Sequence, residues 1–81
     1  MKIVWDEPKR LANLHKHGLD FADVVYFEWE TALITTTHSK RFKAVGRNDD
    51  GTAVVIYAEL GTEAISIVSF RPANARERKL I

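Results

Sequence analysis

The sequence predicts an α+β domain, an antiparallel meander sheet with helices packed on one face, in the order β-α-α-β-β-β-β-α. Three observations carry this. Between Trp5 and Trp29 apolar residues recur at helical spacing, with helix-start and helix-stop residues around them. From Thr31 to Phe70 the pattern changes to alternation in β-branched runs. Short turns separate those runs, which favours antiparallel pairing of consecutive strands. The 81 residues make one domain, 1–81, with no linker, repeat or low-complexity segment.

The first strand is KIVW, Lys2 to Trp5, and DEPKRLANLHKHG follows as a helix. Pro8 suits its first turn, Asp6 and Glu7 face the positive end of its dipole, and Gly18 suits the left-handed position past its end. Leu11 and Leu14, three apart, define its expected buried stripe. A second helix is expected at once. Asp20 is its N-cap, Asp23 stands in the capping-box position, and Leu19 and Val24 have hydrophobic-staple spacing. Phe21, Val24 and Val25 form its apolar face. TALITTT, Thr31 to Thr37, is the next strand, and HSK makes a turn. RFKAVGR, Arg41 to Arg47, is followed by the hairpin turn NDDG, Asn48 to Gly51. TAVVIYAEL is the central apolar strand, GTE turns again, AISIVSF is the last strand, and PANARERKLI opens a short C-terminal helix on Pro72.

Composition narrows the chemistry. There is no cysteine, hence no disulfide, thiolate nucleophile or cysteine metal site. The start MKIVWDEPKR lacks the apolar core of a signal peptide, and AVVIYA is too short to span a bilayer. The cytoplasm is the expected location, with no membrane contact. Net charge is only +1, but the basic residues fall into clusters: Lys9, Arg10 and Lys16; Lys40, Arg41, Lys43 and Arg47; Arg71, Arg76, Arg78 and Lys79. If the fold gathers them, a nearly neutral chain presents a positive face. The plainer alternative is solvated surface charge.

Alternation puts Arg41, Lys43 and Arg47 on one side of their strand with Val45, a stripe suited to an anion. Arg71 is expected on the side of Ile65, Ile67 and Ser69, at the strand's end beside the last helix. It is placed there for an anion, or for a salt bridge to Glu77 or to an acid of the second helix. No Gly-rich loop has phosphate-loop spacing, no acids follow a metal-site pattern, and nothing nominates a serine triad. His15 and His17, two apart, do not face each other on a helix. No metal or cofactor is expected. What remains is chemistry by cations. RNA cleavage by its own 2′-OH needs a base, cations for the phosphorane and an acid for the leaving oxygen. Arginine suits the second need and histidine the others, with Glu77 an alternative base.

Three stretches carry a resemblance. WDEPKRLANLHKHGLDF fits W-D-x-x-K-x-x-x-N-x-x-K-H-G-x-x-F on Trp5, Asp6, Lys9, Asn13, Lys16, His17, Gly18 and Phe21. RFKAVGR supplies a mid-chain arginine, Arg41, and a glycine-ended strand. ISIVSFRPANARER fits I-R-I-I-S-A-R-x-A-x-x-x-E-R on Ile67, Ser69, Arg71, Ala73, Glu77 and Arg78. Over nearly its whole length the chain resembles the BrnT family of toxins. The resemblance implies a RelE-like fold and a ribonuclease that blocks translation and arrests growth. It also implies a BrnA-like ribbon-helix-helix antitoxin that represses the shared operon, so that operator DNA is met only through the antitoxin. Two departures stand out. Ser66 replaces an arginine of the last strand, and ERKLI offers no tyrosine after the E-R pair. Both imply weaker catalysis, with a catalytically weak or inactive RNA- or antitoxin-binding module as the alternative.

On this basis Arg41 and Arg71 are the expected phosphate and transition-state contacts, and Lys43 and Arg47 extend the RNA path. Glu77 or a histidine, His17 foremost, handles protons. Lys9, Lys16, Arg76 and Arg78 complete the expected RNA contacts, with Arg76 and Arg78 also available to antitoxin acids. His17 and Lys16 have a competing structural role, closing the negative end of the first helix.

Overall fold

The computed structural model describes residues 1–49 and 51–81; the predicted NDDG turn includes Asp50, which lies outside them, while Asn48 and Gly51 on its flanks pair with each other. Strand β1 (Lys2–Trp5) leads into helix α1 (Glu7–His17), then two 3-10 turns (Phe21–Tyr26 and Trp29–Thr31), strands β2 (Leu33–Thr36), β3 (Arg41–Asn48), β4 (Gly51–Leu60) and β5 (Ala64–Pro72), and helix α2 (Ala75–Arg78).

The sheet has five strands in the order β1-β5-β4-β3-β2. Strands β2 to β5 form the expected antiparallel meander, but β1 lies parallel to β5, so the sheet is mixed. The all-antiparallel expectation reached only strands joined by short turns. The partner of β1 is set by a crossover through nearly the whole chain, which local pattern does not reveal.

Local signals placed the helix ends well. Asp6 caps α1 by accepting from the Lys9 N–H, and Gly18 ends it in the left-handed region at φ 75°, its N–H bonded to Leu14. Asp20 caps the next element through the Ala22 N–H. That element, however, is a 3-10 turn rather than an α-helix. Phe21, Val24 and Phe27 are spaced by three, which aligns them on one side of a three-residue turn, and all three are buried. Val25, expected on the apolar face, is exposed. Pro72 closes β5 instead of opening the last helix, which Asn74 caps in a capping box with Glu77.

The stripe expected on α1 is also corrected. Leu11 and Leu14 are exposed at 53% and 36%, and the helix buries Asn13 instead. The helix meets β5 beyond the end of its pairing with β1, where backbone groups must be satisfied, and the apolar cover comes from the 3-10 turns.

Residues paired across strands share a face. One face of the sheet, the core face, carries Phe42, Ala44, Ala53, Val55, Tyr57, Ile65, Ile67 and Phe70, packed under Phe21, Val24 and Phe27. The Phe27 ring meets Trp29 and Phe70 edge to face at 5.0 and 6.4 Å. The opposite face carries Val45, Val54 and Ile56 with Ala73. Helix α2 sits on this second face through its ion pairs with Lys43 and Arg71, so the helices do not all cover one side.

Candidate active site

As alternation predicts, Arg41, Lys43, Val45 and Arg47 share the second face, paired with Ala58, Ile56, Val54 and Thr52 of β4. Arg71 pairs with Val54 and so faces the same way. This corrects the expectation that Arg71 sides with Ile65 and Ile67, which are in the core. The pairing of β4 with β5 slips between Ile56 and Tyr57: Ile56 meets Ser69 and Tyr57 meets Ile67. The extra residue, Val68, is a bulge that reverses the parity of the rest of β5. It is this slip that delivers Arg71 to the cation stripe.

Three of the expected site residues converge there. The Arg71 guanidinium donates to Glu77 in parallel, Nη1 to Oε1 and Nη2 to Oε2, each at 2.8 Å. Lys43 Nζ approaches Glu77 Oε2 at 2.7 Å. Glu77 Oε1 also accepts the Asn74 N–H at 2.9 Å. The Glu77 side chain is 5% exposed, while those of Lys43 and Arg71 are 30% and 28% exposed. A buried anion thus lies beneath two cations whose remaining N–H donors are open to a ligand. The Arg71 guanidinium, with the Asn74 N–H and Lys43, holds the Glu77 carboxyl well below the usual carboxylate range despite burial, and Glu77 in turn raises the Arg71 pKa. A carboxylate so committed is a poor general base. Geometry gives Glu77 the task of aiming Arg71 and Lys43.

The other expected residues lie around this centre. Arg41 and Arg47 are exposed on the same face, on either side of Lys43 and Val45, with steps of about 7 Å for every two residues along β3. Among the described residues neither has an ion pair. Arg78 donates to the Ala73 carbonyl at 2.9 Å, steadying the link from β5 to α2, and Arg76 is exposed. Lys9 and Lys16 are exposed on α1 and His17 is half-buried at its end; no hydrogen bond or ion pair joins their side chains to the Glu77 centre among the described residues. Arg10, counted with the first basic cluster, is spent on Glu7 at 2.7 Å and Asp20 at 2.9 Å.

Two further residues hold the site, and each leaves a mark in the sequence. Asn74 begins N-A-R-E, a capping-box pattern that fixes Glu77. Asn13 is a poor helix former in mid-helix, a sign that its side chain has work elsewhere. Among the described residues no three His, Asp or Glu side chains gather as a metal-ligand set, and no helix is long and apolar enough to cross a membrane. An apolar hollow of about 400 Å³, lined by Ile3, Val25, Trp29, Ile34, Tyr57 and Ile65 among others, has no Lys or Arg in its wall.

Comparison with known proteins bears on what this geometry serves. Residues 5–77 match a family model described as the ribonuclease toxin BrnT of type II toxin-antitoxin systems. The crystal structure of the Brucella abortus ribonuclease toxin BrnT is similar, with a TM-score of 0.82 and 42% identity, over 91% of this chain and 97% of that one. None of the curated proteins compared matches the chain.

Proposed function

The chain belongs to the BrnT family of ribonuclease toxins of type II toxin-antitoxin systems, and on that premise we propose that it cleaves RNA on the cation face of its sheet without a metal ion. The ribose 2′-OH attacks the adjacent phosphorus, the new O2′–P bond forms as the P–O5′ bond breaks, and the products carry a 2′,3′-cyclic phosphate and a 5′-OH. Arg71 and Lys43 hold the phosphate and stabilise the charge of the phosphorane. Glu77 positions both. Arg41 and Arg47 extend the contact along the backbone, with Lys9, Lys16, Arg76 and Arg78 as peripheral cations. His17 is the candidate for moving protons, since Glu77 is held ionised.

The observation that carries this reading is the buried Glu77 carboxylate beneath two partly exposed cations, Arg71 and Lys43. In cells the activity blocks translation and arrests growth. The RelE-like relationship belongs to the same reading, supported by the β2–β5 meander with helices beside it. The toxin's partner is a BrnA-like ribbon-helix-helix antitoxin, through which alone it meets operator DNA, and Arg76 and Arg78 are exposed to receive acidic side chains. Incubating the purified protein with RNA in excess EDTA tests the chemistry. Cleavage should persist, leave 5′-OH ends, and fall at least about 100-fold in R71A; dependence on added metal sinks the metal-free mechanism. Co-purification with the product of the neighbouring gene tests the partner.

A second reading, a catalytically weak or inactive binding module, is favoured by Ser66. It pairs with Ala58, which also pairs with Arg41, so the residue that departs from the family lies on the cation face itself. Induced expression that leaves growth and cellular RNA unchanged would select it.

A further inference from the structure

Strand β1 accompanies β5 only from Ala64 to Ile67. After Trp5 the chain turns into α1, and among the described residues no strand pairs with the outer edge of β5 at Phe70. The Asn13 carboxamide occupies that edge. Its Nδ2 donates to the Phe70 carbonyl at 2.7 Å, and its Oδ1 accepts the Phe70 N–H at 3.2 Å. The same amide donates to the Leu19 carbonyl at 3.0 Å and accepts from Ser69 Oγ at 3.4 Å. Asn13 is 8% exposed. A carboxamide presents donor and acceptor together as a peptide does; an ionised aspartate here would face two carbonyls with no proton to offer. The bulge at Val68 lies just upstream, so the ladder is irregular where this side chain takes hold.

We infer that Asn13 is a positioning residue of the nuclease site. It replaces the strand that β1 abandons, fixes the β5 backbone at Phe70, and thereby holds Arg71 where Glu77 and Lys43 meet it. This rests on Arg71 acting on RNA as proposed above.

The test uses a fluorophore–quencher RNA oligonucleotide of mixed sequence, cleaved by wild type, N13A, R71A, the double variant and V24A, each well below its melting temperature. Val24 is buried in the core and serves as a control for lost stability. The expected result is a fall in kcat of at least about tenfold for N13A with KM within about threefold, and V24A within about twofold of wild type. Adding N13A to R71A should change kcat by less than about twofold, because the two act as one unit. Wild-type kcat in N13A, a loss matched by V24A, or a loss fully additive with R71A overturns the inference. Should N13A not fold, N13Q takes its place: the amide is kept but displaced by a methylene, and an unchanged kcat again overturns it. R71A cleaving as wild type would instead overturn the reading of Arg71, whereas an inactive R71A beside a fully active N13A removes only the role of Asn13.

Discussion

Glu77, on helix α2, grips Arg71 through two parallel hydrogen bonds of 2.8 Å, and the guanidinium is thereby fixed in one plane. Lysine keeps the charge but not the fork. R71K should therefore bind RNA within about threefold of wild type while kcat falls about 100-fold, as for loss of one aimed transition-state donor. Equal losses in binding and kcat would show that Arg71 contributes charge alone.

The same pair makes stability depend on acid. Glu77 is held far below its usual 4.5, and Glu7 is held at about 2, chiefly by Arg10 with help from Trp5. Above about pH 4.5 both groups are ionised in the folded and the unfolded chain, and their stabilisation is fully present. Below it the unfolded chain takes up protons that the folded chain refuses, so stability falls as pH drops towards the folded values. Thermal melts should be flat near neutrality and decline below about pH 4.5. E77Q should cost about 2–4 kcal/mol at pH 7, less than a fully buried pair because its cations are partly exposed, and should flatten the acid limb. An acid limb as steep in E77Q as in wild type would assign the dependence to other carboxylates.

Ser66 offers a gain-of-function test. It shares a cross-strand row with Ala58 and Arg41 on the cation face. In S66R a further cation joins that row. RNA affinity at low salt should rise several-fold, and the slope of log K against log salt should steepen by about 0.7. An unchanged slope would mean that RNA does not pass over this end of the sheet.

Gly46 separates folding from function. A Cβ there would lie 2.7 Å from Phe27 Cζ and 3.0 Å from Ala32 Cβ, and the Phe27 ring is wedged against Trp29 and Phe70. G46A should lose about 1–3 kcal/mol in denaturant melts. Its cleavage per folded molecule should stay at the wild-type level, because the clash is on the core face. Loss of activity without loss of stability would contradict the division of the sheet into a structural and a chemical side.

What could be read from the sequence was what depends on near neighbours. Asp6, Gly18 and Asp20 announce helix ends within a few residues, and the alternation of Arg41, Lys43 and Arg47 fixes their common face. The suggestion that Arg71 bonds Glu77 succeeded for the same reason, the two being six positions apart. Distant partners erased the rest. Asn13 is buried because Phe70, 57 positions away, needs it. The face of Arg71 was misjudged because a bulge shifts parity without marking the sequence. The 3-10 turn hid behind an i, i+3 pattern that an α-helix also shows, and only the burial of Phe27 rather than Val25 separates them.

The parallel pairing of β1 with β5 sets a timetable. Lys2 lies beside Ala64, so the first strand synthesised has no berth until the last has left the ribosome. Arg71, near the end of that last strand, and Glu77 beyond it are the last of these residues to emerge. A nascent chain that has not yet released Arg71 and Glu77 lacks its paired cation centre, and in the proposed reading it becomes a nuclease only after both have emerged.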